Sequence, residues 1–343
     1  MNRNRIIEYL LEHPNSSSTD IFNIFNGEVS IATVKRVLSK LIKENMLIST
    51  GKAKATRYSI SPSYQLLVFM DMEAYYEQEI DERIIQRGFN FSLLNDLLPH
   101  ISLFTNEENL ELNRLQNKYR ENISLMGTTE YEKELERLAI DLSWKSSQIE
   151  GNTYSLLETE RLLKEKQTAS GKTKDEAIML LNHKETIDFI VENPDFLAEL
   201  TVQKIEFLHG LLTKELGVDK NIRRRKVGIS GTNYSPLDNE YQIKEALIGM
   251  CNIINQKESA FEKALLALLL LSYIQAFADG NKRTARIVSN AILISHKHCP
   301  ISFRTVDSLD YKKAMLLFYE QNNISNFKMI FMEQYAFAVE TYF

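Results

Sequence analysis

The sequence predicts a mostly α protein, a small N-terminal domain followed by a much larger helical body. Three observations carry that prediction. The 343 residues include only 12 glycines and 6 prolines, few for a turn-rich β fold. From Asn106 onward, Leu, Glu and Lys recur at helical spacing. With 44% hydrophobic residues, the chain can bury one large core and a satellite. A net charge of −5 excludes a general binder of polyanions. The first residues are polar and basic with no apolar run behind them, so no signal peptide is expected. The longest unbroken apolar run, Ala264 to Leu271, is too short to span a bilayer, so no membrane partner is expected. Two cysteines, Cys251 and Cys299, make no disulfide framework and point to a cytoplasmic location.

The satellite is residues 1–60. Ile6, Ile7, Leu10 and Leu11 make a helical stripe that stops at His13-Pro14. Ser18 or Thr19 caps a second short helix with Ile21, Phe22 and Phe25, and Asn26-Gly27 makes a turn. Ser30 caps a third helix, with Val34, Val37, Leu38, Leu41 and Ile42 inward. Strands are expected over Met46 to Thr50 and Thr56 to Ile60, around a Gly51-Lys52-Ala53-Lys54 tip. Nine cations against five acids give these sixty residues +4, leaving −9 for the rest. Three helices and a basic hairpin resemble a winged helix-turn-helix of the bacterial regulator kind. That resemblance implies double-stranded DNA as partner, with Lys35, Arg36 and Lys40 toward a groove and Lys52, Lys54 and Arg57 reaching phosphates from the wing. One such module contacts few phosphates, so useful affinity calls for a homodimer. The alternative is a protein–protein module whose lysines form a solvated face.

Residues 61–100 read as a packed connector, because Leu66, Leu67, Val68, Phe69 and Met70 need burial. In the body, residues 101–343, two stretches carry chemistry. Gln275-Ala276-Phe277-Ala278-Asp279-Gly280-Asn281-Lys282-Arg283-Thr284-Ala285-Arg286 follows an apolar helix and opens another. A helix N-terminus presents free N–H groups and a positive dipole end to an anion. Arg283 and Arg286, three residues apart, can converge on one polyphosphate, and Asp279 stands where a divalent ion could sit. The alternative is a helix–loop–helix corner with two solvated arginines. In the second stretch, Leu135, Leu138, Ala139 and Leu142 mark a helix over about 132–150, stopped by Gly151-Asn152. Glu150 then lies where the dipole disfavours an acid, so a cationic partner, naturally an arginine, is expected. An ordinary surface glutamate is the alternative.

These stretches resemble the Fic (Fido) family, whose signature is His-x-Phe-x-Asp/Glu-Gly-Asn-Gly/Lys-Arg-x-x-Arg. Phe277, Asp279, Gly280, Asn281, Lys282, Arg283 and Arg286 match it, while Gln275 stands in the place of the catalytic histidine. Ser146, Glu150 and Gly151 fit the family's inhibitory motif, Ser/Thr-x-x-x-Glu-Gly/Asn. Asn221 to Leu237, basic and then β-like, resembles the family's flap, a small β-hairpin that docks a target peptide. A basic surface loop is the alternative there. The resemblance implies a Fic helical fold over roughly 101–343. It also implies transfer of AMP from ATP, with Mg²⁺, to a Ser, Thr or Tyr hydroxyl of a target protein. By resemblance, Asp279 would position Mg²⁺, Asn281 the α-phosphate, Arg283 and the Gly280 to Lys282 amides the β-phosphate, and Arg286 the γ-phosphate. Glu150 would pair with Arg286 and fill the γ-phosphate space.

Glutamine is non-basic, and loss of general-base help costs about 10²–10⁴-fold. Asn-Lys-Arg-Thr also resembles the loop of the Doc toxins, which transfer phosphate. Those lack the second arginine, so Arg286 leans toward AMP-type binding. Two readings follow. One is a protein adenylyltransferase, self-inhibited by Glu150 and weakened by Gln275. The other is a catalytically silent nucleotide-binding domain in a DNA-binding transcription regulator. His296-x-His298-Cys299 is read as surface. The aromatic stripe Tyr311, Phe318, Tyr319, Phe327, Phe331, Tyr335 and Phe337 is read as core or a dimer face.

Overall fold

The structure is a computed structural model and describes residues 3–343. Two compact units divide the chain. One comprises the chain up to Met70 with Asn322–Ser325, and the other Asp71–Gln321 with Asn326–Phe343.

The small unit holds α1 (Arg3–Glu12), α2 (Ser18–Asn23), α3 (Ile31–Lys43), β1 (Leu47–Thr50), β2 (Arg57–Ile60) and the short α4 (Pro62–Gln65). The cap of α2 is Ser17, one residue before the expected position, because Asp20 at the third helical position completes a reciprocal capping box with it. Ser30 caps α3 through the Thr33 N–H. β1 and β2 pair antiparallel, from Leu47 opposite Ile60 to Thr50 opposite Arg57. Gly51 at the tip has φ 78°, and a Cβ there would come within 2.4 Å of the Ala55 carbonyl oxygen. The core gathers Ile6, Leu10, Ile21, Phe25, Val34, Leu38, Leu41, Leu47 and Ile60 from α1 to β2. Tyr64 and Val68 pack on that core, and Asn323 donates to the Gln65 and Val68 carbonyls at 2.8 and 2.7 Å. The expected 61–100 connector is therefore not one body, since the residues after Met70 pack elsewhere.

The large unit begins with α5 (Met72–Tyr76) and continues through α6 (Asn106–Leu125), α7 (Thr128–Ile149), α8 (Leu156–Glu165), α9 (Lys174–Glu192) and α10 (Val202–Leu212). It then runs through α11 (Glu240–Gln256), α12 (Ala260–Ile274), α13 (Asn281–Ser295), α14 (Ser308–Gln321) and α15 (Ser325–Thr341, belonging to this unit from Asn326). Capping boxes at Thr105, Ser155 and Thr173 start α6, α8 and α9. α12 is apolar on nearly every face and is the central helix, packed by α11, α13 and α14. Six of the seven expected stripe aromatics are core, and Phe337 is half-buried. Cys299, expected at the surface, is buried instead. Among the described residues no helix is long and apolar enough to cross a membrane.

Two anchors matter for the site. Beyond the end of α7, Glu176 accepts from both the N–H and the hydroxyl of Thr153 at 2.8 and 2.6 Å, and Asn152 Nδ2 donates to the Glu176 carbonyl. Farther off, Arg83 donates to both carboxylate oxygens of Glu320, which is 1% exposed and also accepts from the Tyr75 hydroxyl. Removing one partner of such a pair strands the other charge. Glu320→Ala is expected to lower unfolding free energy by about 3–5 kcal/mol, whereas Arg83→Met with Glu320→Leu loses far less. Denaturant melts of the two variants check this. Equal losses would show that the charges are not coupled.

Candidate active site

The site is built where α12 stops and α13 starts. Gln275 takes the left-handed conformation, φ 52° and ψ 56°, and ends α12. Gly280, at φ 80°, is the N-cap of α13. A Cβ on it would lie 3.2 Å from Thr213 Cγ2 and 3.5 Å from His209, so glycine is the residue that seats the loop on α10. His209 stacks on Phe277 with ring centroids 3.7 Å apart, and its Nε2 lies 2.9 Å from the Asp279 carbonyl. Burial holds its imidazole below the usual range, so it is neutral near pH 7.

Within the loop, Asn281 accepts from the Phe277 N–H at 2.8 Å and donates to the Phe277 carbonyl at 2.8 Å. Its Nδ2 also lies 3.2 Å from Gln275 Oε1, and Gln275 Nε2 donates to the Ser272 carbonyl at 2.7 Å. The glutamine is thus a buried strut between the end of α12 and Asn281. Below it, Arg223 donates to the carbonyls of Gln275 (2.6 Å), Arg225 and Leu237.

Both signature arginines are buried, Arg283 at 2% and Arg286 at 0% exposed, which closes the reading of a corner with solvated arginines. Arg283 Nη2 meets Asp279 Oδ2 at 3.2 Å, and the Asp279 side chain is 67% exposed. Arg286 Nε donates to Ser146 Oγ at 2.8 Å. Its Nη2 donates to the Ser146 carbonyl and to Glu150 Oε1, each at 2.9 Å. Lys282 Nζ lies 3.8 Å from Glu150 Oε2. Burial alone would raise the Glu150 carboxyl, but the Arg286 and Lys282 cations outweigh it and hold it below the ordinary range.

Arg283 Nη1 and Arg286 Nη1 are buried without a hydrogen-bond partner among the described residues. Buried guanidinium donors at a helix N-terminus suit phosphate oxygens. Three cations (Lys282, Arg283, Arg286) face two carboxylates (Glu150, Asp279), an imbalance that favours an anion. Beside them opens a cavity of about 350 Å³. Ile149, Ile229, Tyr311, Met315, Leu316 and Tyr319 form its apolar wall, and Glu150, Gln275 and Lys282 its polar end. Asp279 borders a second, wider concavity of about 830 Å³ with Arg224, Arg225 and Glu240. Among the described residues no three His, Cys, Asp or Glu side chains converge. A Mg²⁺ ion needs only one or two carboxylates when phosphates supply other ligands, so Asp279 fits that donor set.

The 221–237 segment, expected as a hairpin flap, has no paired strands. It runs extended, with a turn at Ser230-Gly231 and a single parallel bridge from Ser235 to Gly88. Of the six basic residues expected to meet DNA, Lys35, Arg36 and Lys40 are exposed on α3, and Lys52, Lys54 and Arg57 are exposed around the hairpin tip. Sequence reasoning passed over His183, His209 and Arg223. Both histidines sit at buried helical positions, His183 between Leu180 and Ile187 and His209 between Ile205 and Leu212, a placement that marks an imidazole needing a polar partner.

Fold and site together define a helical domain in which an acid at the end of α7 pairs with a buried arginine in the first turns of α13. Residues 199–293 match the Fic/DOC family model. Over 172 residues it is 27% identical to a protein adenylyltransferase Fic of Nematostella vectensis, a match covering 49% of this chain and 40% of that relative's length. A fragment of Fic-1 from C. elegans shares the fold at TM-score 0.60 and 20% identity, over 69% of this chain and 72% of that one. A Fic-domain signaling protein from Bacteroides thetaiotaomicron does so at TM-score 0.57 and 17% identity, over 67% and 94%.

Proposed function

We propose that the large unit is a protein adenylyltransferase that moves AMP from ATP to a protein hydroxyl, held off by Glu150 and slowed by Gln275. The observation that carries this is the Arg286–Glu150 pair at a helix N-terminus whose two buried arginines keep a free donor. In this reading the acceptor oxygen attacks the α-phosphorus, the bond to the β-phosphate oxygen breaks, and pyrophosphate leaves. The amides of Gly280 to Lys282 and Arg283 bind the departing phosphates, and Arg286 holds the terminal one once Glu150 withdraws. Asn281, fixed by Phe277 and Gln275, orients the α-phosphate. Mg²⁺, when bound at Asp279, would neutralise charge between phosphates. The hydroxyl proton has no side-chain base at position 275, so it leaves to solvent and the step is slow.

The test is ATP labelled separately at the α- and γ-phosphates, offered with candidate protein acceptors to Glu150→Gly. Transfer of α-label alone supports AMP transfer. Transfer of γ-label alone would replace it with a phosphotransferase, and neither label with intact ATP binding would leave a nucleotide sensor.

That last outcome favours a second reading, motivated by the exposure of Lys35, Arg36, Lys40, Lys52, Lys54 and Arg57 on the small unit. Here the unit is a winged helix that binds duplex DNA, and the nucleotide tunes it. Replacing Lys52 and Lys54 by alanine is expected to weaken binding of the full chain to every duplex alike. The slope of log affinity against log salt should shrink by about 0.9 per lost phosphate contact. Absence of duplex binding even at about 50 mM salt would remove the reading.

A further inference from the structure

Arg286 is held by more than Glu150. Its Nε–H donates to Ser146 Oγ at 2.8 Å, so that oxygen is an acceptor and its own proton must go elsewhere. The other polar atom within reach is His183 Nε2, 2.7 Å away. Arg286 donates to Ser146, and the hydroxyl shares a second hydrogen bond with Nε2 whose direction follows the ring tautomer: Ser146 donates to a bare Nε2, or accepts from Nε2–H on its other lone pair. The ring is buried in α9, and burial with the neighbouring Arg286 and Arg283 charges keeps it neutral.

From this geometry we propose that His183 is a positioning residue: through Ser146 it holds the Arg286 guanidinium in place for a phosphate after Glu150 has left. The proposal rests on the nucleotide reading above. The serine carbonyl takes Nη2 at 2.9 Å and the Tyr311 ring lies 5.4 Å from the guanidinium carbon. The hydroxyl is the contact that sets the Nε edge, and His183 sets the hydroxyl. A group acting only through Arg286 should affect the phosphate that Arg286 holds and spare the others.

The experiment titrates ATP and ADP against the full chain in a Glu150→Gly background, alone and with His183→Ala or His183→Gln added. His183→Ala is expected to weaken ATP about tenfold and leave ADP unchanged, the worth of one charge-assisted hydrogen bond. His183→Gln should restore the ATP preference, since its amide oxygen can accept from Ser146. Equal loss for ATP and ADP, or no loss, overturns the proposal. If Glu150→Gly alone binds neither nucleotide, the nucleotide reading falls first and this inference with it. Should His183→Ala fail to fold, Ser146→Ala removes the same hydroxyl from the helix and reads the same ratio.

Discussion

Placing an imidazole at position 275 is expected to raise α-label transfer by about 10²–10⁴-fold in a Glu150→Gly background. The backbone there is left-handed, a conformation that histidine tolerates better than most residues. Gln275 Nε2 now donates to the Ser272 carbonyl. An imidazole can make the same donation from one ring nitrogen and present the other as a bare acceptor near the start of α13. The gain would appear in the rate of transfer and not in nucleotide affinity, because the phosphate contacts come from Arg283, Arg286 and the helix amides. The measurement is single-turnover transfer with labelled ATP, together with a separate binding titration. A gain confined to affinity, or none at all, would show that position 275 does not face the reacting oxygen.

Removing the carboxylate at position 150 is expected to tighten ATP binding by at least about tenfold. Glu150 takes the Nη2 donor of Arg286 and approaches Lys282, so both cations are engaged before a nucleotide arrives. Its side chain is 22% exposed, and solvent screens part of the pair. Glu150→Gly should therefore melt a little lower than wild type without ligand and higher with ATP present, since binding to the native state adds stability. The pH dependence follows from the carboxyl being held below its ordinary range. Such a group stays charged from neutral pH down through the normal carboxylate window, and the contact is lost only as pH falls through the lowered value. The ratio of Glu150→Gly to wild-type affinity should thus be flat between about pH 6 and 8, since titration of the ligand's terminal phosphate is common to both. A rise across that window would implicate another group in the clamp.

Much of the fold was legible because its signals are local. Ser30, Thr105, Ser155 and Thr173 announce helix starts through hydroxyl–amide geometry that spans four residues. The apolar run before Gln275 could only be a buried helix, and α12 is one. The loop 275–286 and Glu150 were visible for the same reason, as short patterns with their own chemistry. What stayed hidden depends on distant partners. Nothing in the basic 221–237 stretch singled out Arg223, yet three carbonyls, one of them fifty-two residues away, hold it inside. His183 meets Ser146 across thirty-seven residues, and no local spacing encodes that meeting. The 221–237 hairpin failed for the opposite reason. β-branched residues and glycines suggested pairing, but no second strand lies beside them.

The mooring behind α7 bears on how fast such a site could respond. Glu176 ties down Thr153, Asn152 reaches back to Glu176, and Ser146 is gripped by Arg286 one turn before the clamp. A helix fastened at both sides of its last turn is a poor hinge. The shorter way out for the carboxylate is rotation about its own side-chain bonds, a motion of picoseconds to nanoseconds where the group borders solvent. An incoming polyphosphate would then compete with a swinging arm instead of waiting for a door, and its arrival rate would follow encounter more than any slow rearrangement of the fold.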